Sequence, residues 1–256
     1  MTIMREERLI CALARELHGC RHVAVGSAAP AHAAAALLAA CTASDRVRVT
    51  ILGSRDDNFF SEGGRELFDA AMTGRIDGFV LGGGQIDGHG NVNLLGVGSY
   101  PKLAVRWPGN FGAPVMCAAA QRVVLFREEH SPRVFVKQVD FVSVPGTSAP
   151  GAWRRSGPHA LVTGAGVFGF DGARRRFVLR HLLPGETGDS IRAKTGFEFD
   201  VDPAISSLPP PTERELHYLR GEIAARIAPV YPEFVRRVFG VSASSAAATA
   251  GTGRTQ

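Results

Sequence analysis

Apolar positions in "REERLICALARELHG" recur at helical spacing, at Leu9, Ile10, Leu13 and Leu17, and the run stops at Gly19. That pattern predicts an opening amphipathic helix. "HVAVG" is a short apolar run opened by His22 and reads as a strand. A small-residue loop, "GSAAP" at 26–30, and an Ala-rich helix follow it. "VRVTILGS" predicts a second strand, "GRELFDAAMTG" a helix ending at Gly74, and "GFVLGGG" a third strand. Strands and helices alternating at these lengths predict an α/β fold, a mostly parallel sheet with helices on both faces. Further along, "RVVLF", "RVFVKQVDFVSV", "ALVTGAGVFGFDG" and "RFVLRHLL" predict successive extended segments, so the C-terminal half is richer in strands. In "PPPTERELHYLRGEIAARI", Thr212 and Glu215 fit a capping box and Leu216, Leu219 and Ile223 form one apolar stripe, which predicts a late helix. The pattern reads as a single domain over 1–238 and a disordered Ala/Ser/Gly-rich tail over 239–256.

The 256 residues carry a formal net charge of +5, but tight basic clusters occur only at "WRR" (153–155) and "ARRR" (173–176). Such runs read as solvated turn tips, and without a continuous basic face or interleaved aromatics a nucleic-acid partner is not expected. Attraction for an anionic ligand stays open. The four cysteines, Cys11, Cys20, Cys41 and Cys117, show no CxxC spacing and no signal peptide precedes them, so a reducing cytoplasm is expected. "HGCRH" places His18, Cys20 and His22 at alternate positions that a strand could turn toward zinc. The simpler reading is a helix end at Gly19 and a strand start at Arg21, and no metal is expected. No apolar run approaches the length of a membrane span.

The stretch "VLGGGQIDGHGNVNLLGVGSY" (80–100) raises the question of ligand chemistry. Gly83 and Gly88 have the spacing of a Walker loop, but His89 and Gly90 stand where Lys and Ser or Thr would hold phosphate and magnesium. The dinucleotide fingerprint fails as well, since counting from Gly82 its third glycine falls at Asp87. As a plain turn, the loop would use glycine for positive φ and Asp87, Asn91 and Asn93 to satisfy backbone groups. Its place at the carboxyl end of a predicted parallel strand nevertheless suits a ligand site.

"GGGQIDGHGNVN", "YPKLAVRWPGNFGA", "RVFVKQVDFVSVPG" and "TGFEFDVDP", in that order, resemble β-type subunits of the class I (glutaconate-type) CoA-transferases over roughly residues 5–230. The likeness extends to relatives that act as a steroid-ring-opening CoA hydrolase and a glutaconyl-CoA decarboxylase. It implies a CoA-transferase-like α/β subunit paired with a homologous α-type subunit, commonly as a heterotetramer. The active site would lie at the subunit junction and take an acyl-CoA substrate, with no bound cofactor, coenzyme A entering as part of the substrate. It further implies that backbone amides of "PGNFGA" stabilise an oxyanion, Gly112 leading with Asn110 beside it. Gly83, Gly84, Gln85, Asp87, Asn91 and Asn93 would form the floor of the acyl-CoA site, and Gly26 and Ser27 would line it.

One position departs from the pattern. The family's nucleophilic glutamate stands just past the second strand, whereas "VTILGS" puts Leu52 there, and leucine cannot form an acyl anhydride. Glu62 in "FFSEGG" precedes a predicted helix, whose dipole accounts for a carboxylate there, and it lies about ten residues past the strand end. His89 could serve as an acid or base near neutral pH, and Cys117 reads as a packing residue. Three readings follow: a transferase subunit with its carboxylate elsewhere, a hydrolase or C–C bond cleaving enzyme with the catalytic carboxylate on its partner, and a non-catalytic ligand-binding subunit.

Overall fold

The structure, a computed structural model, describes residues 2–240. Helix α1 (Arg5–Glu16) buries Leu9, Ile10 and Leu13 as their spacing predicts, and Glu7 accepts the Met4 N–H at 2.9 Å to start its first turn. Strand β1 (His22–Val25) is buried throughout. Helix α2 (Pro30–Thr42) opens on a proline preset for the helical φ and buries Ala33, Ala34, Ala35 and Ala36 with Leu37 and Leu38. Strand β2 (Arg48–Ile51) pairs parallel with β1.

Helix α3 (Gly64–Met72) and strand β3 (Gly78–Gly82) come next. Four two-residue strands follow, β4 (Gln85–Ile86), β5 (Val92–Asn93), β6 (Gly96–Val97) and β7 (Val105–Arg106), ahead of helix α4 (Ala113–Ala119). The chain continues through β8 (Arg122–Arg127), β9 (Pro158–Thr163), β10 (Gly166–Asp171), β11 (Arg176–Leu182), α5 (Gly188–Ala193) and β12 (Asp200–Ser207). Helix α6 (Glu213–Tyr218) runs into a π-helical turn (Leu219–Ile223), α7 (Ala224–Ile227) and α8 (Pro232–Phe239). The fold is α/β with a mostly parallel core.

Contacts gather the chain into two compact units, one of residues up to 60 with the chain from 209 onward, the other of residues 61–208. In the first, α2 packs with α1, α6, α7 and the β1–β2 pair, and ion pairs draw distant segments together, Arg237 with Glu6 among them. Arg15 binds Glu215 at 2.7 Å, Arg220 binds Glu7 at 2.6 Å, and Arg226 forks onto Asp57. Glu7 and Asp57 are each 1% exposed, so each pairing answers a charge that would otherwise be costly inside the protein. The capping box expected at the late helix is present, with Glu215 N–H on Thr212 Oγ1 and Thr212 N–H on the Glu215 carboxylate.

The second unit carries a sheet ordered β12-β11-β10-β9-β8-β3. Its β3–β8, β8–β9 and β11–β12 ladders are parallel, while β9–β10 and β10–β11 are antiparallel. Phe135, Phe168 and Phe177 fill the core. His130 lies among them, 4.5 Å from Phe135 ring to ring, its nitrogens 2.8 Å from Thr163 Oγ1 and 2.9 Å from Thr195 Oγ1.

Three local expectations change. The segment 133–144 is not a strand, because its backbone is used to bridge the glycine loop at Ile86↔Phe135 and Val92↔Val144 instead of entering a ladder. Asp200–Ser207, part of which is visible in the sequence only as a motif, is an edge strand. Pro232 opens α8 and Gly240, at φ 68, closes it, so two residues of the expected tail, 239 and 240, belong to this helix and its cap. The rest of that tail lies outside the described residues.

Candidate functional site

The glycine loop between β3 and β8 is organised around two buried polar side chains. Asp87, 1% exposed, accepts the His89 N–H at 3.0 Å and the Asn91 N–H at 3.2 Å on one oxygen, and Asn91 Nδ2 at 3.1 Å on the other. Asn91 Oδ1 in turn accepts the Gly146 N–H at 3.0 Å. Asn93, fully buried, donates to Gln85 Oε1 and to the Gly96 carbonyl, both at 2.7 Å, and accepts the Leu95 N–H at 2.9 Å. Gln85 Oε1 also accepts the Asp140 N–H at 3.0 Å, and Asp140 Oδ2 receives Gln85 Nε2 at 3.2 Å and the Gly98 N–H at 2.8 Å. A carboxylate surrounded by N–H donors replaces the water those groups would otherwise need, which rigidifies a loop with little regular structure. The hydrogen bonds of Gln85, Asp87, Asn91 and Asn93 thus run to the loop itself and to 139–146.

The glycines serve the same packing. Gly83 lies against Val92, Gly84 under the Trp107 indole, and Gly146 passes so close to the loop that its backbone faces the His89 carbonyl. His89 is exposed at the loop tip. Asp140, and Ser143, whose Oγ accepts the Leu94 N–H at 2.9 Å, do not stand out in the sequence. Their signal is the polar positions set within "KQVDFVSV".

The "PGNFGA" turn leads into α4. Gly112 is the residue before the helix, and the Phe68 ring of α3 occupies the space where a side chain at Gly112 would stand. The Asn110 carbonyl accepts the Ala113 N–H at 3.0 Å, while Asn110 Oδ1 is buried with no hydrogen-bond partner. Phe111, between them, has φ 39 and is 79% exposed. At its other end α4 is closed by the "WRR" segment: Arg155 N–H meets the Ala118 carbonyl at 2.9 Å, Arg154 Nη2 the Cys117 carbonyl at 3.3 Å, and Ser156 Oγ the Ala120 carbonyl at 3.1 Å. Trp153 and Arg155 are exposed, as expected of such a run, but the Arg155 backbone and the Arg154 side chain also close a helix end, since free C-terminal carbonyls attract donors and cations. "ARRR" does lie at a turn, with Arg174 paired to Asp171 at 2.7 Å. Cys117 is buried, which pushes its thiol up to about 12 and leaves it unreactive near neutral pH.

In the other unit, Gly26 and Ser27 form the turn after β1 and Leu52 follows β2. The Leu52 N–H donates to the Val25 carbonyl at 3.0 Å, so both segments leave the carboxyl end of one parallel pair. Ala28 takes φ 55 in that turn. Beyond Leu52 the chain folds back, Asp57 N–H on Ser54 Oγ at 3.0 Å and Ile51 N–H on the Asp57 carbonyl at 2.8 Å. In the unit of residues 61–208, Glu62 is exposed and paired with Arg65, whereas Glu66 accepts the Ser61 and Glu62 N–H groups at 2.6 and 3.1 Å. These bonds hold the Glu66 carboxyl below its ordinary range, the Glu62 amide contributing most. His22 of the "HGCRH" stretch meets Thr50 Oγ1 at 2.8 Å and His18 meets Thr42 Oγ1 at 3.3 Å. Among the described residues no cluster of three or more His, Cys, Asp or Glu is placed to hold a metal, and no helix is long and apolar enough to cross a membrane.

A family model described as coenzyme A transferase matches residues 1–194. The chain is 32% identical over 161 residues to a 3-oxoadipate CoA-transferase subunit of Pseudomonas knackmussii, covering 60% of this chain and 61% of that protein. It is 32% identical over 160 residues to the cholesterol ring-cleaving hydrolase IpdB subunit of Rhodococcus jostii, covering 61% of this chain and 62% of that protein. The match thus spans less than two thirds of the length of these relatives. Among solved structures, a chain of the decarboxylase AibA/AibB superposes with a TM-score of 0.73 at 25% identity, over 94% of this chain and 100% of that one.

Proposed function

The chain belongs to the coenzyme A transferase family, and from that premise we propose that it is the β-type subunit of a two-component enzyme acting on an acyl-CoA thioester. An α-type homologue completes the active site, most simply as a heterotetramer in the cytoplasm. Coenzyme A enters as part of the substrate and no resident cofactor is needed. In this reading the Gly112 amide, with Asn110 beside it, receives the negative charge that develops on the thioester oxygen. The backbone of the glycine loop, including Gly83 and Gly84, borders the substrate. Gln85, Asp87, Asn91 and Asn93 act by holding that loop in shape, as their hydrogen bonds suggest.

The observation that carries the choice of chemistry is Leu52. It directly follows β2, its amide is tied to Val25, and it cannot attack an acyl carbon. We therefore favour hydrolysis or C–C bond cleavage, with the catalytic carboxylate on the partner, over transfer through an anhydride on this chain. Two of the similar proteins, the ring-cleaving hydrolase subunit and the decarboxylase, carry such names.

The test is mass spectrometry of the complex co-expressed with its α-type partner and incubated with acyl-CoA. The expected result is no CoA adduct on this chain, with free CoA or cleaved product formed. An adduct on Glu62, Glu66 or any other carboxylate of this chain would overturn the reading. An adduct on the partner would return the complex to the transferases.

A further inference from the structure

The turn that carries Gly112 contains a residue that neither the turn nor the core requires. Phe111 has φ 39, in the left-handed region where a bulky side chain meets its own backbone, at a cost of about 1–3 kcal/mol. Its ring is also 79% exposed, so the strain is not offset by burial within this chain. Glycine would take the same φ freely. An aromatic residue held there against both preferences points to a role for the ring itself.

The surroundings indicate what that ring meets. Phe111 leans on Phe68, with centroids 5.8 Å apart at 47°. Gly64 lies below both rings, and a methyl group on it would stand 3.3 Å from Phe68 and 3.4 Å from Phe111. Phe68 in turn fills the space beside Gly112. Val115, one helical turn beyond, is 38% exposed. Across 107–121, "WPGNFGAPVMCAAAQ", there is no charged residue. The Gly112 amide is therefore flanked by an aromatic shelf with no cation of its own segment to receive a carboxylate.

Building on the proposed function, we propose that Phe111 determines specificity: its ring packs against the acyl group next to the thioester, and that group is apolar, a hydrocarbon chain or ring rather than a dicarboxylic half-ester. A terminal carboxylate laid on the rings of this shelf would lose water to an apolar surface, and Arg65, the cation next to Gly64 on α3, is already paired with Glu62. A hydrocarbon would bury its own surface and the exposed ring together.

The test is calorimetric binding to the assembled complex of CoA, cyclohexanecarboxyl-CoA and glutaryl-CoA, comparing the native chain with Phe111→Gly and Phe111→Leu. In the native complex cyclohexanecarboxyl-CoA should bind more tightly than CoA by about tenfold or more, the increment expected for burying an apolar group of this size. Phe111→Gly should remove that increment and leave CoA itself bound as before, and Phe111→Leu should keep most of it. Because glycine accepts the left-handed φ, Phe111→Gly should unfold no earlier than the native chain, which separates loss of contact from loss of fold. The inference is overturned if the increment survives in Phe111→Gly, if glutaryl-CoA gains the larger increment, or if Phe111→Gly dissociates the complex in sedimentation, which would make the ring a subunit contact. Absence of any binding of CoA or its thioesters to the native complex would instead refute the proposed function, and this inference with it.

Discussion

Replacing Gly146 with alanine would place a methyl carbon 2.1 Å from the His89 carbonyl oxygen and 2.6 Å from the Gly90 carbonyl carbon. Both are backbone atoms, so neither can swing aside. Ordinary contact between such atoms begins above about 3.4 Å, and the two segments would have to part by about 1 Å. That movement also breaks the bond from Gly146 N–H to Asn91 Oδ1, now 3.0 Å. Overpacking of this kind costs about 1–3 kcal/mol and the lost hydrogen bond about 1 kcal/mol, together about 2–4 kcal/mol. At about 2–4 °C per kcal/mol for a chain of this size, Gly146→Ala should lower the unfolding temperature by about 10 °C, measured by circular dichroism or calorimetry. Gly188→Ala is the control, since a methyl there meets nothing within 4 Å, and it should change stability by no more than about 0.5 kcal/mol. A Gly146→Ala protein melting within about 2 °C of the native one would show that the loop and 139–146 do not depend on this close approach.

Arg226→Met leaves Asp57 buried without its partner and should cost about 2–4 kcal/mol, less than a fully buried pair because Arg226 is partly in water; urea unfolding indistinguishable from the native protein would refute it. Burial lowers the pKa of His32 and of His130 to about 4, against an ordinary 6.5. Between those values the unfolded chain binds protons that the folded chain refuses, so stability is fully present above about pH 6.5 and is lost as the pH falls toward 4. About 2 kcal/mol per histidine should be gone by pH 5, and equal unfolding free energies at pH 5 and pH 7 would contradict this.

Much of the first half can be read from spacing alone. The runs at β1, β2 and β3 and the helices between them are local patterns whose outcome depends on burial of one stripe or one strand, and they form as expected. The Thr212–Glu215 box is equally local. The segment 133–144 looks like a strand because its alternation is real, but its partner is the glycine loop, a contact that spacing does not encode. Arg154 misleads for the same reason: a basic residue looks solvated until the helix end it closes is known. In the candidate site, the Gly and Asn positions are visible as a motif. What they do is not, because a buried Asn and a ligand-binding Asn look alike in sequence and differ only in where their hydrogen bonds go. The left-handed φ at Phe111 leaves no trace in composition at all.

The inward-turned side chains of Gln85, Asp87 and Asn93 have an evolutionary consequence. Because these residues spend their hydrogen-bonding capacity on the loop and on 139–146, the shape of the loop is independent of whatever molecule lies beside it. Positions such as 52 and 111, whose side chains take no part in those bonds, can then be exchanged without rebuilding that shape. Such a division would let a lineage substitute positions of that kind in single steps while the architecture of the loop is inherited intact.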